Sequence, residues 1–226
     1  MQTIAFKNSP CFLETASCVG KKEGEGPLKP YYDMIIPDAH FGEDSWEKAE
    51  SRLQKNAVEK LFEKSGSTPP DIGFIYGGDL LNQCIGSNYG LLSFNIPFFG
   101  LYGACSTFIE GSILASMAVD GGFCEKAIAV TSSHFCSSER QFRFPLEYGG
   151  QRTPTSQWTV TGSGAALIGK GGDIKITHAT VGRIVDYGIA DINNMGAAMA
   201  PAAIDTITKH FSERNLPSDY FDMIVT

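Results

Sequence analysis

Three short apolar runs, separated by segments with helical spacing, constrain this chain more than any other feature. Asp71 to Tyr76, Pro97 to Tyr102 and Ala127 to Thr131 each read as a buried strand. A weaker helix at 84–93 and a helix from Cys105 to Val119, stopped by Gly121-Gly122, lie between them. Ahead of them, Ala49, Leu53, Ala57, Leu61 and Phe62 recur at helical spacing and predict a helix over 45–64. Ser45 is its N-cap, without a full capping box because Lys48 stands at the third position, and Gly66 is its stop. Strands alternating with helices are the pattern of a parallel sheet in an α/β fold.

The flanking segments are less regular. Residues 19–43 are rich in Gly, Pro and Lys and read as a long loop. An irregular stretch at 133–156 precedes two strand-like runs, 158–168 and 174–185, and a helix at 197–214. A faint repeat joins the two ends of this pattern. Leu61 to Lys64, Thr68-Pro69-Pro70 and Asp71 to Ile75 run in the same order as Lys209 to Glu213, Leu216-Pro217-Ser218 and Asp222 to Val225. Many helix–strand units share this order, so coincidence stays open on periodicity alone. The sequence ends within the apolar run Phe221 to Thr226, which reads as a strand cut short.

Charge and composition narrow the function. With 18 basic and 25 acidic residues among 226, the net charge is −7. A phosphate-tracking protein needs a basic stripe, so nucleic acid is not an expected partner. No window approaches the roughly 18 apolar residues of a membrane span, and no secretory signal opens the chain. Six cysteines without a CxxC pair suit reduced thiols better than a disulfide framework. His134 with Cys136 is a lone spacing, so no metal is expected. Gly162, Gly164, Gly169, Gly171 and Gly172 do not form a strand–GxGxxG–helix unit, and no dinucleotide cofactor is expected.

The segment with most chemistry is Tyr102-Gly103-Ala104-Cys105-Ser106-Thr107. It carries a strand through small residues into a cysteine and a helix. Amides and macrodipole at a helix start favour a thiolate, a nucleophile with oxyanion donors beside it. The alternative is a small buried cysteine at a tight junction. His134 follows the third strand, and Asp79 follows the first, so both belong at the strand-end rim where α/β sheets bind ligands. The alternatives are a hydrogen-bonded loop histidine and a helix-capping aspartate. Arg140, Arg143 and Arg152 lie among aromatics in 139–152, a composition suited to a flat carboxylate ligand. The alternative is a salt-bridged solvated loop.

Together these blocks closely resemble the stage V sporulation protein AD family of endospore-forming bacteria, within the thiolase-like superfamily. The carriers are Gly78-Asp79-Leu80-Leu81-Asn82-Gln83, Phe99-Gly100-Leu101-Tyr102-Gly103-Ala104-Cys105-Ser106-Thr107 and Val119-Asp120-Gly121-Gly122-Phe123. Further carriers are Glu139-Arg140-Gln141-Phe142-Arg143, Glu147-Tyr148-Gly149-Gly150-Gln151, Val160-Thr161-Gly162-Ser163-Gly164-Ala165 and Met199-Ala200-Pro201-Ala202-Ala203.

The resemblance implies a thiolase-like fold: two βαβαβαββ halves packed as an αβαβα sandwich. Residues 1–195 would be the first half, and 196–226 the opening helix and strand of the second. Cys105 matches the nucleophile position of the condensing enzymes, whose catalytic histidine and its partner belong to the second half, outside this chain. The family implies dipicolinic acid as ligand, also as its calcium chelate, and other SpoVA membrane proteins as partners. It also implies a spore protein peripheral at the inner membrane, and no condensing activity. Superfamily members usually dimerise through an edge strand of the first half. The expected ligand-binding residues are Asp79, Cys105, His134, Arg140 and Arg143. The rival expectations are a ketosynthase-type acyltransferase with Cys105 as nucleophile, and a purely structural partner of the other subunits.

Overall fold

The computed structural model describes residues 1–142, 158–191 and 194–225, with 139–142 described as backbone. The first elements are β1 (Thr3–Ala5), β2 (Cys11–Gly20), β3 (Met34–Ile36), α1 (Trp46–Ser65), β4 (Phe74–Gly78) and α2 (Ile85–Leu91). Then come β5 (Phe98–Gly100), α3 (Thr107–Asp120), β6 (Ala127–Ser133) and α4 (Phe135–Phe142). The last are β7 (Gly162–Gly169), β8 (Ile174–Lys175), β9 (His178–Thr180) and α5 (Met195–Arg214). They form two compact units, Asn8–Lys175 and a smaller one of Met1–Lys7 with Ile176–Thr226.

The larger unit is built on one sheet in the order β3-β2-β7-β6-β4-β5, with β8 also pairing β2. The expected parallel arrangement holds for β6-β4-β5, where Phe74 pairs with Ala127 and Ile75 with Phe98. It fails at β7, which runs antiparallel to both β6 and β2, so the sheet is mixed. An antiparallel neighbour can start at the edge where β6 ends, whereas a parallel one needs a crossover back to the opposite edge. The expected loop at 19–43 contains β3, which pairs with the end of β2. The longest strand, β2, carries no clear sequence signal because its polar and apolar residues do not alternate cleanly over Cys11–Gly20.

Alternation along the strands sends side chains to two helical layers. Ile75, Ile128, Val130, Ala165 and Leu167 face α1, whose Ala49, Leu53, Ala57, Val58 and Leu61 are fully buried. On the opposite face Ala129 meets α3, where a side chain at Gly111 would touch both its Cβ and the Tyr76 carbonyl. Ala127 to Val130 of β6 are therefore buried on both faces, which is why they read as an unbroken apolar run. The α1 boundaries follow local chemistry. Ser45 Oγ accepts the Lys48 N–H at 3.3 Å, and Gly66 closes the helix at φ +66° while its N–H donates to the Phe62 carbonyl.

In the smaller unit β1 and β9 pair antiparallel, and Glu213 of α5 accepts the Gln2 and Thr3 amides. The helix expected at 197–214 is α5, capped by Asn194, whose Oδ1 accepts the Ala197 N–H. The run expected at 174–185 keeps only the short β8 and β9. Residues 221–225 form no strand, and Met223 and Val225 are exposed, so the second copy of the repeat lacks its ladder here. A strand needs a neighbour to satisfy its amides, and none of the described strands pairs with this segment. The division between halves near residue 196 stays a proposal drawn from the resemblance.

Candidate functional site

Because β6, β4 and β5 are parallel neighbours, the segments that follow them emerge at one edge of the sheet. Asp79 follows β4, Cys105 follows β5, and His134 follows β6. The topology therefore brings three of the expected site residues to one rim. Arg140 is in α4, which starts at the same rim, but only its backbone is described. Arg143 and Arg152 lie outside the described residues.

Cys105 is the exposed member. It sits in a single 3-10 turn, Ala104–Ser106, rather than in the expected first turn of the helix, which begins at Thr107. This turn is shaped by a left-handed residue, Ala104 at φ +47°, a conformation that costs energy in a side chain bearing a Cβ. The turn is held by its neighbours. The Gly103 amide donates to Thr107 Oγ1, whose hydroxyl donates to the Ala104 carbonyl at 2.9 Å, and Ser106 Oγ donates to the Gly103 carbonyl at 2.8 Å. Below it Gly78 closes against Leu101: a Cβ at Gly78 would run into the Leu101 carbonyl oxygen. The buried-cysteine alternative is thus set aside for this residue.

Asp79 is buried, and its carboxylate is used internally. Oδ1 accepts the Leu81 N–H at 2.8 Å; Oδ2 accepts the Ser87 N–H at 2.7 Å and its hydroxyl at 2.6 Å. It ties the start of α2 to the end of β4, across Gln83 and Cys84, both at positive φ. This is the capping role that the sequence left open as the alternative, and these hydrogen bonds engage both carboxylate oxygens internally.

His134 is likewise held by internal bonds, the hydrogen-bonded alternative that the sequence left open. It is 1% exposed. Its Nδ1 accepts the Cys136 N–H at 3.1 Å, which leaves Nε2 to carry the proton and donate to the Ala39 carbonyl at 2.7 Å. The ring packs on Trp46 and Phe41. Burial pushes its pKa down, so the imidazole stays neutral. His134 caps α4 and anchors the loop before α1.

A polar group that sequence reasoning missed lies beneath the rim. Glu50 of α1 is fully buried among Ser132 of β6 and Ser137 of α4, with Oε2 at 2.6 Å from Ser137 Oγ. Burial pushes its carboxyl up to about 7. One turn on, Gln54 Nε2 donates to Ser87 Oγ at 3.1 Å. Glu50 and Gln54 border the stripe of Ala49, Leu53 and Ala57, where spacing alone cannot separate buried from solvated polar residues.

With a helix layer on each face of a mixed sheet, and Cys105 on the strand-end rim in the turn before α3, the chain has a thiolase-like fold. Solved structures that share this fold include two from Xanthomonas. One is FabH, a 3-oxoacyl-(acyl carrier protein) synthase III from Xanthomonas oryzae pv. oryzae, at TM-score 0.63 and 17% identity over 97% of this chain and 77% of that one. The other is an OleA variant from Xanthomonas campestris, at TM-score 0.66 and 14% identity over 97% and 77%. At such identity the likeness carries the fold alone. Sequence carries the family: the model of stage V sporulation protein AD (SpoVAD) matches residues 1–226. The stage V sporulation protein AD of Bacillus subtilis (strain 168) is 47% identical over 227 residues, covering 100% of this chain and 67% of that protein. The chain belongs to the stage V sporulation protein AD family, and so to the SpoVA sporulation system. Among the described residues no helix is long and apolar enough to cross a membrane.

Proposed function

We propose that this chain is a dipicolinate-binding subunit that works with the SpoVA membrane proteins to move dipicolinate, free or as its calcium chelate, into the spore and out of it. The observation that carries the reading is family membership over the whole chain. The rim supports it by exposing Cys105 while Asp79 and His134 are turned inward. Dipicolinate is a flat ring with two carboxylates, and Arg140 and Arg143 are the guanidinium groups proposed to hold it. Isothermal titration of full-length protein tests this. Saturable binding weakened in Arg143→Ala is expected; equal affinity in the two proteins refutes the arginine assignment, and absence of heat refutes the function.

The subunit is proposed to sit peripherally at the inner membrane of the spore through protein contacts, since no described helix spans a bilayer. Binding to protein-free anionic liposomes at physiological salt would contradict this. A homodimer is proposed through β5, the sheet edge, which carries the exposed Phe99, with the exposed Tyr102 just after it. Sedimentation of full-length protein as a monomer would refute it.

One observation favours a second reading. Cys105 stands exposed at the head of α3, the arrangement an acyl-transfer nucleophile needs. Incubation with acyl-coenzyme A followed by intact-mass measurement decides: an adduct lost in Cys105→Ala supports acyl transfer, and an unmodified protein rejects it.

A further inference from the structure

The polar cluster beneath the rim contains two buried carboxyl groups with unequal access to hydrogen-bond donors. Asp79 receives three hydrogens, two from backbone amides. Among the described residues no amide donates to Glu50. Its described neighbours are hydroxyls, Ser132 Oγ at 3.2 Å and Ser137 Oγ at 2.6 Å. A hydroxyl has one hydrogen, and Ser137 Oγ also lies 3.1 Å from the His134 carbonyl, which can only accept. If Ser137 donates to that carbonyl, the short contact to Glu50 needs a hydrogen from Glu50 itself.

Two further observations point the same way. The carboxyl-bearing side chains are close: a Cβ on Gly86 would lie 3.2 Å from Asp79 Cγ and 3.4 Å from Glu50 Cγ. Ionising Glu50 would place a charge in a dry interior beside a second acidic side chain, and both burial and Asp79 oppose it. The cluster is also short of hydrogens, because Gln54 Oε1, fully buried one turn along α1, has no hydrogen-bond partner. The charged groups facing Glu50 from the described elements are Asp79, in the loop after β4, and Glu47, one turn earlier on α1. Both are acidic and oppose ionisation.

We propose that Glu50 is a buried proton-binding site whose neutral carboxylic acid fastens the start of α4 to α1 and β6, and whose ionisation loosens α4 from the rim. In the protonated state Glu50 donates to Ser137, Ser137 donates to the His134 carbonyl, and Ser132 donates to the second oxygen of Glu50. Every hydrogen has one acceptor. Loss of the proton leaves a bare carboxylate beside Asp79, and the nearest way to hydrate it is to part α4 from α1. The helix that carries Arg140 would then respond to pH near neutrality.

The test uses full-length protein labelled with 13C at glutamate side-chain carboxyls, and needs no ligand. Infrared or NMR titration should give one glutamate that keeps its proton at pH 6 and loses it near neutrality, absent in Glu50→Gln. Hydrogen exchange over the peptide 134–142, corrected for intrinsic rates, should lose roughly tenfold or more protection between pH 6 and pH 8.5 in the wild type. Glu50→Gln, which keeps a neutral hydrogen-bonding side chain, should hold its protection across that range. The wild-type measurements stand alone if that variant does not fold. Ionisation of every glutamate below about pH 5.5 would overturn the proton site. A glutamate that titrates near neutrality while 134–142 keeps its protection would overturn the latch.

Discussion

Replacing His134 by alanine separates a frame residue from a ligand residue. The side chain is 1% exposed, and both ring nitrogens are bonded inside the protein. Removing it breaks both bonds: loss at the half-buried Cys136 amide costs about 1–3 kcal/mol where water does not replace it, whereas the carbonyl of the exposed Ala39 is rehydrated. It also deletes the packing on Trp46 and Phe41. The combined loss is about 3–5 kcal/mol, which for a protein of this size lowers Tm by roughly 10 °C. Thermal unfolding followed by near-ultraviolet circular dichroism reads this directly. A dipicolinate titration below the lowered Tm should give wild-type affinity. A variant with unchanged Tm and abolished binding would refute the reasoning, because it would make His134 a ligand contact rather than a cap.

Other expectations follow from the same geometry. Cys105→Ala removes an exposed side chain and should shift Tm by less than about 2 °C, checked by calorimetry. Leu53→Ala empties a fully buried site between α1 and the sheet and should cost about 2–5 kcal/mol in urea unfolding. Gly78→Ala drives a Cβ into the Leu101 carbonyl and should cost at least about 2 kcal/mol while disordering the Cys105 turn, visible as faster alkylation kinetics. Glu50 sets a pH trend. Its carboxyl, raised by burial to about 7 from an ordinary 4.5, holds its proton in the folded state longer than in the unfolded. Its contribution is therefore complete below about pH 4.5, falls as pH rises to about 7 by on the order of 3 kcal/mol, and is level above that. Urea midpoints from pH 5 to pH 8 should fall in the wild type and flatten in Glu50→Gln.

What the sequence disclosed depended on how one-sided each element is. The parallel core was legible because Ala127 to Val130 and Phe74 to Gly78 are apolar over their whole length, as strands covered on both faces must be. The α1 helix was legible at both ends because Ser45 and Gly66 satisfy orphan backbone groups in the common way. The strand β2 was not, since Glu14, Thr15 and Ser17 interrupt its pattern where Asp33 and Lys64 satisfy them. The short helix α4 was not, because Ser137 and Ser138 are poor helix formers whose burial comes from α1 and β6. At the rim, Cys105, Asp79 and His134 were chosen by residue type and strand order, and the topology assembled them. Their orientation was invisible, because capping and ligand binding use the same lone pairs.

The central claim is that the rim after β6, β4 and β5 receives dipicolinate beside Cys105. The most direct measurement is a crystal structure of full-length protein soaked with dipicolinate. The account predicts a planar ligand over the Cys105 turn, with arginine side chains on its carboxylates and with Asp79 and His134 still in their internal hydrogen bonds. A ligand bound elsewhere, or a rim that stays empty at saturating dipicolinate, would contradict it.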